Sequence, residues 1–232
     1  MNPGLTPPDL ARFIDHTLLK ADATAKDIEQ LCAEAREFGF CCVCVNGSRV
    51  EQARALLEDI PIKVVTVVGF PLGAMDADAK RFETEAAIDA GAQETDIVLN
   101  IGQLKDGNHN YVLRELRDVV EAADERIVKV ILETCLLSRL EKVNACQIVV
   151  DAGAQFVKTS TGFGTAGATI DDVKLLREVV GKTFGVKAAG GIRDTPTALA
   201  MIEAGADRLG TTASVAIVRG LSSRSGSPSG RG

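Results

Sequence analysis

The amino-acid sequence predicts a parallel α/β barrel formed by a single domain. At 232 residues with 46% hydrophobic composition, the chain has the size and core content of a one-domain barrel. Short apolar runs alternate with longer stretches of helical period, which is typical of repeated βα units. We count eight such runs, the number that closes a barrel, at residues 13–18, 40–45, 63–68, 95–100, 127–134, 156–160, 186–189 and 207–210.

The segments between these runs have the pattern of helices. Residues 25–38 and 47–57 space their apolar side chains three and four apart, and residues 77–90 are rich in alanine. The tripeptide Ala-Gly-Ala recurs at 90–92, 152–154 and 204–206, each time placing a glycine where a helix would stop shortly before the next strand. The recurrence supports a βα repeat over residues 1–221.

Residues 222–232 have a different composition, with five Ser, three Gly, two Arg and one Pro. Such a segment cannot bury enough apolar surface to offset the entropy of ordering it. We therefore expect a disordered tail outside the barrel domain.

Composition and charge exclude several function classes. The chain carries 26 Lys and Arg against 32 Asp and Glu, a formal charge of -6, without a basic stripe, so we expect no nucleic-acid partner. No stretch approaches the ~18 consecutive apolar residues of a membrane helix. The six cysteines are scattered and the N-terminus lacks the pattern of a signal peptide, so we expect a cytoplasmic location and a small-molecule substrate.

Three lysines interrupt apolar strand-like runs: Lys129, Lys158 and Lys187. Any one of them could point outward or cap a strand end. Because a closed barrel has no solvent-facing edge, however, three lysines on consecutive strands would converge and lower one another's pKa. A neutral amine is a nucleophile for carbonyl groups, so the pattern favours imine chemistry.

Acidic and hydroxyl side chains accompany the lysines. Asp96 lies in the middle of a predicted strand, where a carboxylate needs a cationic partner. It could simply neutralise a buried lysine or also carry protons to and from a bound intermediate. Asp15 and Thr17 end the first predicted strand, where a helix cap or a satisfied polar end is an equally good interpretation.

Three glycine-bearing turns suggest a phosphate site. They lie at 159–164, 190–193 and 210–212, each directly after a lysine-bearing strand or after the last strand. Glycine lets backbone N–H groups approach an anion, and barrels often hold phosphate after strands seven and eight. A single Gly-Gly pair usually marks only a tight bend, but the turns together favour a phosphorylated substrate.

Metal and thiol chemistry find less support in the sequence. His16 and His109 are the only histidines, and neither has Cys, Asp or Glu at ligand-like spacing, so we expect no metal; we interpret His109 as a surface loop residue. Cys44 could face the barrel mouth as a reactive thiol, but a buried packing cysteine is the favoured interpretation.

Seven motifs in this order resemble those of the deoxyribose-phosphate aldolases, over residues from about 15 to 220. They are Asp-His-Thr-Leu-Leu-Lys at 15–20, Gly-Phe-Pro-Leu-Gly at 69–73, residues 94–100, Lys-Val-Ile-Leu-Glu-Thr at 129–134, residues 156–163, Lys-Ala-Ala-Gly-Gly-Ile-Arg at 187–193 and Arg-Leu-Gly at 208–210. The resemblance implies a class I aldolase on a TIM (β/α)8 barrel. Such enzymes reversibly split 2-deoxy-D-ribose 5-phosphate into D-glyceraldehyde 3-phosphate and acetaldehyde, without metal or cofactor.

The resemblance also implies a role for each residue. Lys158 would form the Schiff base, Lys187 would lower its pKa, and Asp96 would relay protons, with Lys129, Thr17 and Asp15 in the same polar network. The residues that would surround the phosphate are Gly162, Gly190, Gly191, Gly210 and Thr212. We expect a phosphosugar as the ligand and a homodimer as the assembly, although the sequence itself carries no argument for the dimer.

Two departures from the family pattern stand out. Many relatives carry serines after the glycine of the last strand, whereas this chain has Thr211, Thr212 and Ala213, which puts phosphate affinity in doubt. Some relatives also end in a tyrosine that reaches the active site, whereas the only tyrosine here is Tyr111.

Two alternatives stay open. Another imine-forming barrel, such as a transaldolase-like or ketose-phosphate aldolase, would share a strand lysine and phosphate turns but not the whole order of motifs. A non-catalytic phosphosugar-binding barrel would use its lysines only to attract anions. The presence of Asp96 together with Lys158 and Lys187 argues against the second alternative.

Overall fold

Eight parallel strands close into a barrel in the computed structural model, which describes residues 5–225. The order β1 to β8 follows the chain, and Ile14 opposite Leu209 joins the first strand to the last. The strands are β1 Ile14–Leu18, β2 Cys42–Val45, β3 Lys63–Val68, β4 Glu94–Val98, β5 Ile127–Ile131, β6 Phe156–Lys158, β7 Gly185–Ala189 and β8 Arg208–Thr211. The predicted TIM barrel is therefore confirmed.

Helices connect successive strands and cover the barrel. They are α1 Pro7–Ala11, α2 Ala25–Phe38, α3 Val50–Leu56, α4 Ala77–Asp89, α5 Ile101–Lys105, α6 His109–Ala122, α7 Arg139–Asp151, α8 Ile170–Val180, α9 Thr195–Glu203 and α10 Ser214–Ser225. The apolar residues that face outward from the strands pack against these helices in one continuous core. None of the helices in the described part of the chain has both the length and the apolar character that crossing a bilayer requires.

The barrel interior is divided into an apolar half and a charged half. Strand register places Val65 opposite Glu94 and Val67 opposite Asp96, so these side chains share the inward face. On β2 and β3 the inward residues are apolar or thiol, apart from the partly exposed Lys63 at the start of β3, and they form a small buried cluster with Leu19. From β4 to β8 the same face carries carboxylates, lysines and an arginine, and this charged half is the framework of the site.

Several predicted boundaries were wrong, for local reasons. β2 begins at Cys42 instead of residue 40, because the Phe40 N–H still donates to the Ala35 carbonyl at the end of α2. β5 ends at Ile131 instead of residue 134, because Glu133 adopts a left-handed conformation with φ 53°. The helix predicted at 47–57 is a 3-10 turn over Gly47–Arg49 followed by α3.

The C-terminal boundary of the domain also differs from the prediction. α10 runs to Ser225, four residues beyond the boundary placed after residue 221. Serine and arginine are acceptable in a helix that earlier turns have already nucleated, so composition alone misplaced the end. The rest of the expected tail, residues 226–232, lies outside the described residues.

Candidate active site

Three lysines from consecutive strands meet at one carboxylate inside the barrel. Asp96, in the middle of β4, accepts from Lys129 Nζ through Oδ1 at 2.9 Å and from Lys158 Nζ through Oδ2 at 2.8 Å. The same Oδ2 accepts from Lys187 Nζ at 2.7 Å. All four side chains are almost completely buried. The structure thus brings together the four residues that the sequence singled out as the centre of the site.

A second layer of charges lies towards the amino-terminal ends of the strands. Asp15 accepts from Lys187 Nζ through Oδ2 at 2.5 Å and from Arg208 Nη1 through Oδ1 at 2.6 Å. Glu94 contacts Lys129 Nζ through Oε2 at 2.7 Å, and Arg208 Nη1 lies 3.6 Å from the same oxygen. Asp15 is therefore a buried ion-pair partner near the start of β1, neither a helix cap nor a strand end.

Arg208 and Glu94 did not emerge from the sequence as site residues. A signal for Glu94 existed, because it precedes Asp96 by two positions and therefore shares its face of the strand. Arg208 opens an apolar strand in the same way as the lysines interrupt theirs. Its register partner is Lys187, which in turn lies opposite Lys158, so the three cationic residues form one row across β6, β7 and β8.

The network separates the protonation behaviour of the lysines. Burial lowers the pKa of Lys158, Asp96 opposes this, and the Lys187 ammonium reinforces it, so the pKa falls below its ordinary value. Burial also acts on Lys129 and Lys187, but the carboxylates outweigh it and raise the pKa of both. Burial would raise the pKa of Asp96, yet the surrounding ammonium groups hold it well below the usual range. Lys158 is thus the lysine of the three whose environment favours the neutral amine.

Lys158 is also the lysine of this group that opens onto a cavity. The cavity, of about 190 Å³, lies at the carboxyl-terminal ends of β1, β6, β7 and β8. Thr17 lines it, with its hydroxyl donating to the Asp15 carbonyl at 2.8 Å. Its walls also include every residue predicted to surround a phosphate: Gly162, Gly190, Gly191, Gly210 and Thr212. Carboxyl-terminal strand ends are where barrel enzymes place their active sites.

The glycines of the cavity wall are favoured by backbone conformation or by close packing. Gly162, Gly190 and Gly191 all adopt positive φ, at 86°, 86° and 78°. A Cβ on Gly167 would lie 2.2 Å from the Gly190 carbonyl oxygen, and a Cβ on Gly210 would lie 3.1 Å from Lys187 Cε. The backbone can therefore approach a ligand closely on this side, while Lys187 packs directly beneath Gly210.

Glu133 anchors the loop that follows Lys158. It is 4% exposed and holds a left-handed backbone, a conformation that costs a residue with a side chain roughly 1–3 kcal/mol. Its carboxylate accepts a short hydrogen bond from the Thr161 hydroxyl and longer ones, at 3.4 Å, from the Thr161 N–H. The Thr161 hydroxyl in turn accepts from the Phe163 N–H at 3.0 Å. Glu133 is not recognisable as a site residue from the sequence, because the pattern of residues does not reveal its positive φ.

The backbone of Lys158 is tied to both neighbouring strands. Its carbonyl accepts from the Leu132 N–H at 2.9 Å, and the next N–H, that of Thr159, donates to the Lys187 carbonyl at 3.1 Å. The Thr159 hydroxyl bridges to Ala189, accepting from its N–H and donating to its carbonyl, each at 3.1 Å. β6 has only three residues, yet its last residue is held on both sides.

The remaining predicted residues fall outside the reacting cavity. Cys44 is buried in the apolar half of the interior, and burial raises its pKa to about 11, which supports a packing role. His16 faces away from the cavity, where its ring nitrogens pair with Ser214 Oγ at 2.8 Å and Glu34 Oε2 at 2.7 Å. His109 is exposed but begins α6, so the predicted loop was wrong.

Within the described residues, Asp15, Cys41 and Cys42 form a group whose ligand atoms could hold a metal. It lies at the amino-terminal end of the barrel, on the far side of the charge network from the cavity. Both Asp15 oxygens already accept from cations, and Arg208 Nη1 also contacts Cys42 Sγ at 2.9 Å. A further cation would be repelled there, so the group carries no argument for a metal.

A closed parallel barrel with a buried lysine, flanked by a second lysine and a shared carboxylate at its carboxyl-terminal mouth, defines the class of lysine-dependent aldolases. The chain belongs to the DeoC/LacD family of aldolases, whose model matches residues 10–231.

Three comparisons illustrate the similarity. The chain is 59% identical to deoxyribose-phosphate aldolase of Alkaliphilus oremlandii over 211 residues, 90% of this chain and 95% of that one. It is 55% identical to the enzyme of the same name from Geobacillus sp. over 218 residues, 94% and 98% of the two chains. Among solved structures it resembles the deoxyribose phosphate aldolase of Aeropyrum pernix, described as tetrameric, with a TM-score of 0.88, 35% identity and coverage of 94% and 93%.

Proposed function

We propose that this chain is a class I aldolase that reversibly cleaves 2-deoxy-D-ribose 5-phosphate into D-glyceraldehyde 3-phosphate and acetaldehyde. The observation that carries the proposal is Lys158, the lysine with a lowered pKa that opens onto the cavity between the glycine turns. The relatives that bear this enzyme name match more than 90% of their own length.

Lys158 supplies the nucleophile. Its neutral amine attacks the C1 aldehyde carbon, and loss of water leaves a protonated imine. The imine withdraws the electron pair of the C2–C3 bond as the C3 hydroxyl loses its proton, which releases D-glyceraldehyde 3-phosphate. The enamine that stays on Lys158 then takes a proton at C2, and water releases acetaldehyde. Each step needs the amine nitrogen to be held beside groups that accept or return protons.

Asp96 and Lys187 are the groups placed for that proton traffic. Asp96 Oδ2 contacts both Lys158 Nζ and Lys187 Nζ, so a proton lost by one group has a hydrogen-bonded neighbour to receive it. Lys187 stays cationic because two carboxylates hold it, and the pair with Lys158 titrates as a coupled unit. Lys129 and Asp15 keep the carboxylate and the second lysine in place, and Thr17 borders the substrate.

The phosphate would bind against the glycine turns. Gly162, Gly190 and Gly191 present backbone without side-chain obstruction, and Gly210 and Thr212 close the opposite wall. The Thr212 side chain is exposed there, so its hydroxyl is free to reach a bound phosphate. Arg193 also lines the cavity and adds a positive charge. Anion binding at these turns selects a phosphosugar over an unphosphorylated aldehyde.

Trapping with borohydride tests the proposal. We expect deoxyribose 5-phosphate plus borohydride to leave a reduced two-carbon adduct on Lys158, identified by peptide mass, and none in Lys158→Met. The same incubation with fructose 1,6-bisphosphate should leave no adduct, which separates this enzyme from the ketose-phosphate aldolases. An adduct on another lysine would overturn the assignment. So would sugar binding without any adduct, the behaviour of a non-catalytic phosphosugar-binding barrel.

We further propose that the enzyme works as a homodimer in a reducing cytoplasm. The six cysteines are all free thiols, which suits a reducing compartment. Sedimentation velocity distinguishes a dimer from a tetramer such as that described for the Aeropyrum pernix protein.

A further inference from the structure

The interior of the barrel holds one more cation than it holds carboxylates. Among the described residues of this interior, three carboxylates are buried: Asp15, Glu94 and Asp96. Four cationic side chains contact them, namely Lys129, Lys158, Lys187 and Arg208. Lys63 also reaches Glu94, at 3.1 Å, but its side chain is 45% exposed, so water screens its charge. An uncompensated buried charge is costly, and the network can remove it by releasing one proton.

The contacts decide which cation gives up its proton. A guanidinium group does not deprotonate in proteins, so Arg208 keeps its charge. The Lys129 ammonium contacts the carboxylates of Glu94 and Asp96. The Lys187 ammonium contacts those of Asp15 and Asp96, so each of these two lysines has two carboxylate partners. Lys158 has one, the Asp96 oxygen that it shares with Lys187. Lys158 is therefore the group from which the surplus proton leaves.

Arg208 is the residue that creates the surplus of positive charge, and it lies at the end of the barrel opposite the cavity. It is the first residue of β8, and its guanidinium lies 2.6 Å from Asp15 and 3.6 Å from Glu94, with the Phe156 ring 5.9 Å away. It satisfies carboxylate charge that would otherwise be available to the lysines. Without the guanidinium, three lysines would face three carboxylates, and the balance of buried charge would no longer favour the loss of a proton.

We propose that Arg208 is a positioning residue that acts through Asp15 and Glu94 to keep the Lys158 amine unprotonated near neutral pH. The inference rests on the proposed function and adds a cause for the reactivity of its nucleophile. Arg208 does not line the cavity and touches no reacting atom, so it acts on Lys158 through its charge and its contacts with Asp15 and Glu94.

Titratable groups other than Arg208 and Glu94 also surround Lys158. Those inside the barrel are Asp15, Cys44, Asp96, Lys129 and Lys187, and those nearer the mouth are Lys20, Glu133 and Arg193. None of these residues is itself replaced in the variants of Arg208 and Glu94. A shift in the pH profile after these substitutions therefore reports the buried charge balance.

A double-mutant cycle with neutral replacements tests the inference. In Arg208→Gln, the pH at which imine trapping and kcat/KM reach half their plateau should rise by about one unit or more, a loss of about tenfold near neutral pH that alkaline buffer restores. In Glu94→Gln, which removes a carboxylate, it should fall. The double variant again has one cation in surplus, so its profile should return towards that of the unsubstituted enzyme. Arg208→Lys should shift the profile less than Arg208→Gln, because its ammonium still places a cation beside Asp15.

Lys63→Gln is the matched control, because it removes a partly exposed ammonium from the same Glu94 and should shift the profile little. An unchanged profile in Arg208→Gln would overturn the inference. So would a double variant more impaired than either single one, which is what a merely structural role predicts. If Arg208→Gln does not fold, the acid shift in Glu94→Gln decides alone. Failure of the proposed function would look different, since the unsubstituted protein would then form no imine at Lys158.

Discussion

Glu133→Ala separates the binding of the phosphosugar from the chemistry at Lys158. The carboxylate of Glu133 holds the loop that carries Thr161 and Gly162, both of which line the cavity. Its removal leaves the Thr161 hydroxyl without its carboxyl partner, and Thr161 is only 7% exposed. A hydrogen bond to a charged group contributes about 1.5–3 kcal/mol, and about 1.4 kcal/mol corresponds to a factor of ten in affinity.

We therefore expect KM for deoxyribose 5-phosphate to rise by about tenfold to about a hundredfold in Glu133→Ala. The value of kcat should change much less, because Lys158 and its partners lie on other elements. For unphosphorylated 2-deoxyribose, KM should rise less, since this sugar has no phosphate to bind at the anion site. Steady-state cleavage rates measured with both sugars give kcat and KM for each of them.

Glu125→Ala is the matched control for this experiment. Glu125 also has a left-handed backbone, at φ 64°, but it is exposed and lies before β5, at the opposite end of the barrel. It should leave both sugars unaffected. An unchanged KM in Glu133→Ala, or equal losses of kcat/KM for the two sugars, would refute the reasoning that this carboxylate orders the phosphate loop.

Two further predictions concern the charge network. Lys187→Leu should nearly abolish turnover near neutral pH, because Lys158 regains its proton and each unit by which its pKa rises lowers the fraction of neutral amine about tenfold. Lys187→Arg should retain more activity. Undiminished turnover in Lys187→Leu would contradict this role. Acid should destabilise the fold through Asp15 and Asp96, whose pKa values lie below the ordinary 3.8. Their stabilisation is complete above that value and is lost as the pH falls through the lowered values. Urea unfolding from pH 5 downward should show a shallower pH dependence in Asp96→Asn, and an equal slope would count against it.

The elements with the clearest local pattern were predictable from the sequence. Residues 25–38 form α2 as expected, since their apolar spacing is reinforced by the capping box of Thr24 and Asp27 and by left-handed Gly39. Strand β3 also has its predicted bounds, because an apolar run without turn residues can only continue its ladder. Strand ends were less predictable. At the end of β5, for example, apolar residues continue towards Glu133 beyond the last residue that pairs with a neighbouring strand.

The central group of buried charges could be predicted from the sequence, but its further members and its contacts could not. Three lysines in apolar strands are conspicuous, since burying an ammonium is rare, and this rarity identified the centre of the network. No local pattern could reveal that Asp15 contacts Lys187, a residue 172 positions away. The same holds for Arg208, whose importance lies in contacts with β1 and β4 that only barrel closure creates.

The short strand β6 has a consequence for altering which aldehydes the enzyme accepts. Lys158 is bound through its backbone to β5 and β7, whereas part of the cavity wall, including Phe163, Arg193 and Thr212, belongs to loops that follow the strands. Substitutions in those loops can change the shape of the acceptor pocket while the attacking nitrogen keeps its position. Catalyst design for non-natural aldehydes can therefore vary Thr212, Arg193 and Phe163 as a library, and leave the lysine and its supporting strands untouched.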